Sequence, residues 1–335
     1  MAGKVKRKAV ALISGGLDSL LAAKLVQEQG IEVQGVAFVM SVASTSVRDF
    51  SHNVHIASNE AGIPVKIVDI SKEFLNILKS PKHGYGSNMN PCIDCKIFML
   101  RKAWEVMKEE GADFVVTGEV LGERPMSQRR DALNIIRKSS SLDGYLLRPL
   151  SAKLLDETIP EKEGVVDRER LLDIEGRSRK RQFELARKYG IKKFFPPAGG
   201  CLLADPIFAK KVKDLIDTDS LAIKNIDLLK YGRHFRMDRE TKVVVGRDEK
   251  DNNGIAGLKE NRDMILRLKD KPGPYALLRG KKSENHVKTA ASLVVSHSKF
   301  KGEEKVPVEY WVEDKDKSTL AVPPLPKEKI KEMRI

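Results

Sequence analysis

Two groups of residues in this sequence have types and spacings suited to chemistry. The first is the string Ser14-Gly15-Gly16-Leu17-Asp18-Ser19. Its glycines can take positive φ and let a ligand approach the backbone closely. Ser14 and Ser19 carry hydroxyl donors, and Asp18 carries a carboxylate that can hold a metal ion or cap a helix. A helix starting here would aim free N–H groups and its positive end at one spot, which suits a phosphate. The GxxxxGK[ST] spacing is absent, so this is not the common P-loop. The plainer alternative is a glycine turn capped by Asp18. The second group is the three cysteines, Cys92, Cys95 and Cys201. Pro91-Cys92-Ile93-Asp94-Cys95 puts two thiols on one side of a helix start, where the dipole favours thiolate. Such a pair serves zinc, redox or cluster chemistry alike. Zinc would need a fourth ligand from a histidine or a carboxylate.

Regular elements must position these groups. The apolar run Ala9-Val10-Ala11-Leu12-Ile13 reads as a strand and the stretch from Leu20 to Val26 as the helix after the loop. Strands are expected at 33–39, 64–69 and 113–118, with helices at 50–60 and over Ile97, Leu100, Ala103, Trp104 and Met107. This alternation predicts an α/β fold, a doubly wound parallel sheet covered on both faces. Ligands of such sheets bind beyond the carboxyl ends of the strands, where both the Ser14–Ser19 loop and Thr117-Gly118 fall. A helix from Phe183 to Tyr189 stops at Gly190. A rigid loop follows from Pro196 to Cys201, and Val212 to Ile216 reads as the last helix of a first domain spanning 1–216. From 217 to 315 short β-rich pieces at 234–237, 243–246, 275–279, 293–295 and 308–312 predict a smaller mixed α/β or β-rich domain. The charged tail, 316–335, reads as partly loose.

The 335 residues carry 61 Lys and Arg against 47 Asp and Glu, a formal net charge of +14. An excess of that size favours a polyanionic partner, RNA or DNA. A thermophile's charged surface would explain the 32% charged residues but not the excess of one sign. The apolar run after the basic N-terminus ends at Ser14, too short for a secretory signal, and no stretch reaches membrane-spanning length. The expectation is a cytoplasmic protein without a disulfide framework.

The Ser14–Ser19 string resembles the pyrophosphate loop of the PP-loop ATP pyrophosphatase superfamily, whose fold is adenine nucleotide α-hydrolase-like. Members cleave ATP between the α and β phosphates to adenylate a substrate oxygen. The resemblance assigns Ser14, Gly15, Gly16, Asp18 and Ser19 to pyrophosphate and Mg²⁺, and makes Ala37, Phe38 and Gly118 ATP contacts. Asn90-Pro91-Cys92-Ile93-Asp94-Cys95-Lys96-Ile97-Phe98, Gly111 to Gly118, Leu147-Arg148-Pro149-Leu150 and Gly199 to Leu203 resemble the PP-loop tRNA thiolases, the 2-thiouridine and 4-thiouridine synthases, over most of 8–215. That likeness implies an ATP-dependent tRNA sulfurtransferase in which Asp18, Cys92, Cys95 and Cys201 are catalytic. The three cysteines would bind a 4Fe–4S cluster with one iron open for a hydrosulfide. Some relatives have Asp at the position of Cys92, and others run a persulfide–disulfide mechanism on two cysteines. The sulfur would come from inorganic sulfide, a cysteine desulfurase or a carrier protein. Relatives often read Thr-Gly-His where this chain has Thr117-Gly118-Glu119. Tyr231 to Asp238, Lys242 to Asp248 and Asn252-Asn253 resemble the NFACT-type RNA-binding domain. There Arg233, Arg236 and Arg247 would contact phosphate, with His234 and Phe235 stacking on bases. Arg129-Arg130 and Arg177 to Arg181 are further candidates for an RNA track. A PP-loop ligase acting on a small molecule is the competing enzyme class, and an RNA-binding protein with a relic pocket the non-enzymatic one.

Overall fold

The computed structural model describes residues 7–44, 46–195, 201–313 and 316–335. The chain divides into two compact units, Met1–Ala204 and Asp205–Ile335. Among the described residues of the first, five strands form one parallel sheet: β1 (Lys8–Leu12), β2 (Glu32–Val39), β3 (Val65–Asp69), β4 (Phe114–Val116) and β5 (Leu146–Leu147). Their spatial order is β3-β2-β1-β4-β5. The strand residues are apolar on both faces because both faces are covered. Ala9 and Ala11 of β1 join a core with Leu17, Leu20 and Leu21 of helix α1 (Leu17–Gln27). Val10 faces the other way, into a core with Leu100 and Ala103 of the helix Cys92–Glu109.

Local chemistry sets the ends of these elements. Helix α2 (Val47–Ala61) starts where Ser46 Oγ accepts from Asp49 N–H and ends at Gly62, which is left-handed at φ 65°. It extends past the expected 50–60 at both ends. Helix α3 (Ser71–Lys79) and the helix Arg130–Ser139 were not anticipated; few residues of each are buried, Phe74 and Leu78 in α3 and Leu133 and Ile136 in the other. The helix Cys92–Glu109 is labelled α4. The decisive feature is the order reversal at β1, with β2 on one side and β4 on the other. The Ser14–Ser19 loop leaves the sheet at that switch point, where a crevice opens.

The second unit holds β6 (Arg233–Arg236), β7 (Lys242–Val245), β8 (Met264–Leu268), β9 (Ala276–Arg279), β10 (Val306–Val312) and β11 (Ser318–Val322). They make an antiparallel sheet in the order β11-β10-β8-β9-β7-β6. Three expectations change here. Leu293-Val294-Val295 is helical, not extended: Ser283 caps the helix Glu284–Ser296, and Val287, Ala290, Ala291 and Val294 are buried at helical spacing. The helix Pro206–Asp217 belongs to this unit, since Asp214 accepts from Arg236 and Lys242 of β6 and β7. The division therefore falls at Asp205, which caps that helix, and not at 216. The segment read as a loose tail supplies β11 and a bridge between Arg334 and Phe235. The expected loop residues 196–200 lie outside the described residues. Among the described residues no helix is long and apolar enough to cross a membrane.

Candidate active site

The phosphate loop is built by its own hydroxyls. Ser19 Oγ donates to the Gly16 carbonyl at 2.8 Å and accepts from Ser14 N–H at 3.2 Å. Ser14 Oγ accepts from Gly16 N–H at 3.3 Å. Gly15 has φ 77°, and a Cβ there would sit 2.4 Å from the Phe195 ring. Gly16 is the N-cap of α1 and makes no side-chain cap, so no side chain from the loop closes over the helix start. Asp18 does not cap the helix; it lies in the first turn and turns toward Arg179. Gly118, which follows β4, presses against this turn. A Cβ on it would lie 2.5 Å from the carbonyl carbon and oxygen of Asp18 and the nitrogen of Ser19.

A cavity of about 680 Å³ opens over the loop. Its walls include Ser14, Gly16, Asp18, Ser19, Phe38, Gly118 and Cys201, so one of the three cysteines borders the same space as the loop. Ala37 does not reach it; that side chain is fully buried in the sheet. The walls also carry charged residues that sequence reasoning did not place there: Asp49, Lys96, Glu123, Arg124 and Arg179. Arg179 Nη2 lies 3.2 Å from Asp18 Oδ2, and its Nε 3.8 Å from Glu123 Oε1. Burial pushes both carboxyls above their ordinary pKa, Asp18 against the pull of Arg179 and Glu123 with added repulsion from Asp18. Arg179 had been read as part of an RNA track; instead it points inward, and Arg181 pairs with Asp173. Its signal was one arginine in a basic run, which no spacing rule separates from its neighbours. Arg129 and Arg130 are exposed, bonded to Asp131 and the Leu154 carbonyl.

The cysteines are free thiols. Asp94, between Cys92 and Cys95, takes two bonds from His83, 2.8 Å from its N–H and 2.9 Å from Nδ1, which pins the preceding segment to α4. Asn88 Nδ2 donates to the Ala204 carbonyl at 2.7 Å and Met89 N–H to the Leu203 carbonyl at 3.1 Å. These bonds bring the Cys201 turn to the front of α4. The Cys95 sulfur lies 4.0 Å from Met40 Sδ. Burial pushes its thiol up to about 12, and the other two cysteines add to that rise. Cys201 is likewise raised by burial. The helix dipole therefore does not make Cys95 a thiolate, contrary to expectation: desolvation outweighs it. We expect iodoacetamide at neutral pH to modify Cys95 and Cys201 much more slowly than a free cysteine, read by peptide mass spectrometry. Among the described residues no three His, Cys, Asp or Glu side chains form a ready single-ion site. Cys92 and Cys201 both act electrostatically on Cys95, and of the three cysteines Cys201 reaches the cavity wall.

In the second unit the expected RNA contacts are largely committed elsewhere. Phe235 is 0% and His234 1% exposed, so neither stacks on a base. Arg236 grips Asp214 at 2.9 and 2.6 Å, and Arg247 binds Asp251. Arg233 keeps its place in a cationic group: burial, then Arg334 and Arg247, hold its pKa below the usual value. On β10 an aromatic missed by the sequence reading, Trp311, lies between Arg267 at 5.3 Å and Lys317 at 5.0 Å. Burial, with Lys242 and Lys211 nearby, holds His234 well below 6.5, so it stays neutral when folded. The unfolded chain takes up that proton below about pH 6.5 and the folded one does not. This contribution is full above that pH and lost as pH falls below it. The urea midpoint of the second unit's transition is expected to drop between about pH 7.5 and about pH 5.5, and less so in His234→Gln.

The family described as thiamine biosynthesis protein (ThiI) matches residues 4–159, and the family described as NFACT protein RNA binding domain matches 232–334. The first range holds the phosphate loop, Cys92, Cys95 and Gly118. Residues 4–159 are thus similar to the ThiI family and residues 232–334 to the NFACT RNA-binding domain. A probable tRNA sulfurtransferase of Thermococcus kodakarensis is 33% identical over 147 residues, 43% of this chain and 36% of that protein. The tRNA-specific 2-thiouridylase MnmA of Syntrophotalea carbinolica is 30% identical over 160 residues, 44% of each. The chain thus spans less than half the length of these curated relatives. A 4-thiouridine synthetase solved with RNA and ATP aligns with 67% of this chain and 52% of its own, at 20% identity and a TM-score of 0.39. The PP-loop match ends before Arg179 and Cys201, which enter the site through the fold alone. The NFACT match takes in the tail, in keeping with β11 being part of that sheet.

Proposed function

We propose that the protein is an ATP-dependent tRNA sulfurtransferase, replacing a uridine carbonyl oxygen with sulfur and releasing AMP and pyrophosphate. The observation that carries this is the shared cavity: the phosphate loop and Cys201 line the same 680 Å³ space. A carbonyl oxygen attacking the α-phosphate displaces pyrophosphate toward the N-terminus of α1, where Ser14, Gly15, Gly16 and Ser19 receive it. Arg179 and Arg124 balance its charge. Asp18, facing Glu123 across one guanidinium, is placed to hold Mg²⁺ together with the phosphates. Cys92, Cys95 and Cys201 would hold a 4Fe–4S cluster, which when bound supplies an open iron for a hydrosulfide. Without it, burial keeps the Cys95 and Cys201 thiols protonated, and the Asp94–His83 pair ties the preceding segment to α4. The competing readings are a persulfide–disulfide mechanism on two of the thiols and a ligase acting on a small molecule. Anaerobic purification with iron and sulfide analysis separates the first: protein that is iron-free yet thiolates tRNA removes the cluster. Mass spectrometry of tRNA nucleosides from a deletion strain tests the function itself, with loss of one thiolated nucleoside expected.

The second unit is proposed to bind the RNA, through Arg233 for phosphate and the face around Trp311 for a stacked base. Trp311→Ala should lower tRNA affinity by about 1–3 kcal/mol, roughly tenfold or more, in a filter-binding titration. An unchanged Kd would place the RNA elsewhere.

A further inference from the structure

Glu119 stands in the active-site wall with no role assigned by the loop or the thiols. It is 3% exposed. Its Oε2 accepts from Arg148 Nε at 2.9 Å and from Thr117 Oγ1 at 3.3 Å. Its Oε1 has no hydrogen-bond partner. Lys96 Nζ stands off at 3.8 Å, covering that oxygen without bonding it. Arg148 is itself buried, so the pair is fixed in place. Burial alone would raise the carboxyl, but Arg148 and Lys96 outweigh it and hold it below the usual range, so the group is ionised at neutral pH. A buried, charged acceptor lacking one donor is costly unless a ligand supplies that donor.

The topology narrows the ligand. β2 and β4 flank β1 on opposite sides. With the phosphates at the loop after β1 and the nucleoside toward Phe38 at the end of β2, the β4 side is left for the second substrate. Gly118 packs on the Asp18–Ser19 turn, and Lys96, 3.8 Å from Glu119, directly follows Cys95, so Glu119 adjoins both the phosphate loop and the cysteine segment. The carbonyl being activated must occupy that interval. Resting on the sulfurtransferase reading, we propose that Glu119 Oε1 receives the N3–H of the acceptor uracil ring. Adenylation of a lactam carbonyl requires this proton to leave. As the carbonyl oxygen bonds to the α-phosphorus and the bond to pyrophosphate breaks, the N3–H bond pair becomes the ring C=N bond. The proton passes to Oε1. An anionic phosphate draws Lys96 off the oxygen, so ATP uncovers the acceptor before the base arrives. The same carboxylate rejects cytidine, whose N3 presents a lone pair in place of a proton.

The test uses the full chain with tRNA and Glu119→Gln. The expected result is a fall of roughly 10²- to 10⁴-fold in tRNA-dependent AMP formation, with ATP and tRNA Kd unchanged. Glu119→Asp should recover part of the rate. A tRNA transcript carrying 5-fluorouridine, whose N3 proton is more acidic, should narrow the gap between Glu119→Gln and the wild-type protein. A merely structural role would not respond to the fluorine. AMP formation in Glu119→Gln equal to wild type overturns the inference, as does a loss that follows ATP affinity and ignores 5-fluorouridine. If the wild-type protein forms no tRNA-dependent AMP, the sulfurtransferase reading fails first and takes this inference with it.

Discussion

Cys95→Ser is expected to abolish tRNA thiolation while tRNA-dependent cleavage of ATP to AMP continues. Cys92 and Cys201 both act electrostatically on Cys95, and its sulfur lies 4.0 Å from Met40 Sδ. The phosphate loop, by contrast, is held by Ser14, Gly16 and Ser19 with no cysteine involved. On the proposed function, activation and sulfur delivery depend on separable residues, although Cys201 borders the loop's cavity. Serine is close to isosteric, so the fold should survive. Loss of sulfur as ligand or nucleophile removes the chemistry outright, not by degrees. Cys201→Ser should behave alike. Nucleoside mass spectrometry reads the sulfur, and radiolabelled AMP reads the activation. Loss of both activities together would show that the cysteines serve ATP binding instead.

The second large effect is expected at Gly118. In Gly118→Val the new Cβ would lie 2.5 Å from backbone atoms of Asp18 and Ser19. Those atoms belong to the first turn of α1 and cannot rotate aside as a side chain tip would. The turn must shift, and with it the N–H groups that receive pyrophosphate. A displacement of about 1 Å in a positioning element can cost about 10²-fold in rate. We expect kcat/KM for ATP to fall by at least that factor, with tRNA binding intact, since the second unit, proposed to bind the RNA, is untouched. Near-normal ATP turnover would mean that the loop tolerates movement and that its geometry is not what organises the phosphates.

Much of the PP-loop domain was legible because its signals are local. A glycine pair between an apolar strand and an apolar-periodic helix states its own geometry, and the structure keeps Gly15 at positive φ and α1 directly behind it. Long, strongly patterned elements such as α4 were found, though α4 starts at Cys92, ahead of the expected Ile97, and runs on to Glu109. What failed depended on partners far along the chain. Leu293-Val294-Val295 has strand composition, yet Ser283 caps it into a helix and the burial of Ala290 and Ala291 decides the matter. Phe235 and His234 sit among arginines, which suggested an RNA surface; adjacent in β6, they point to opposite faces of the sheet, and both faces are covered. Arg179 could not be told from Arg177 or Arg181 without knowing that its helix start faces Asp18. Glu119 was visible only as a departure from an expected histidine. Its meaning came from Arg148, a residue of the segment after β5.

The central claim is that the phosphate loop and the three thiols serve one reaction. Single-turnover experiments with anaerobically prepared protein, labelled ATP and tRNA test it most directly, counting AMP released and thiouridine formed in the same sample. The account predicts equal molar amounts of the two products, appearing only when tRNA is present. Sulfur entering tRNA without AMP release, or AMP released equally well without tRNA, would contradict it.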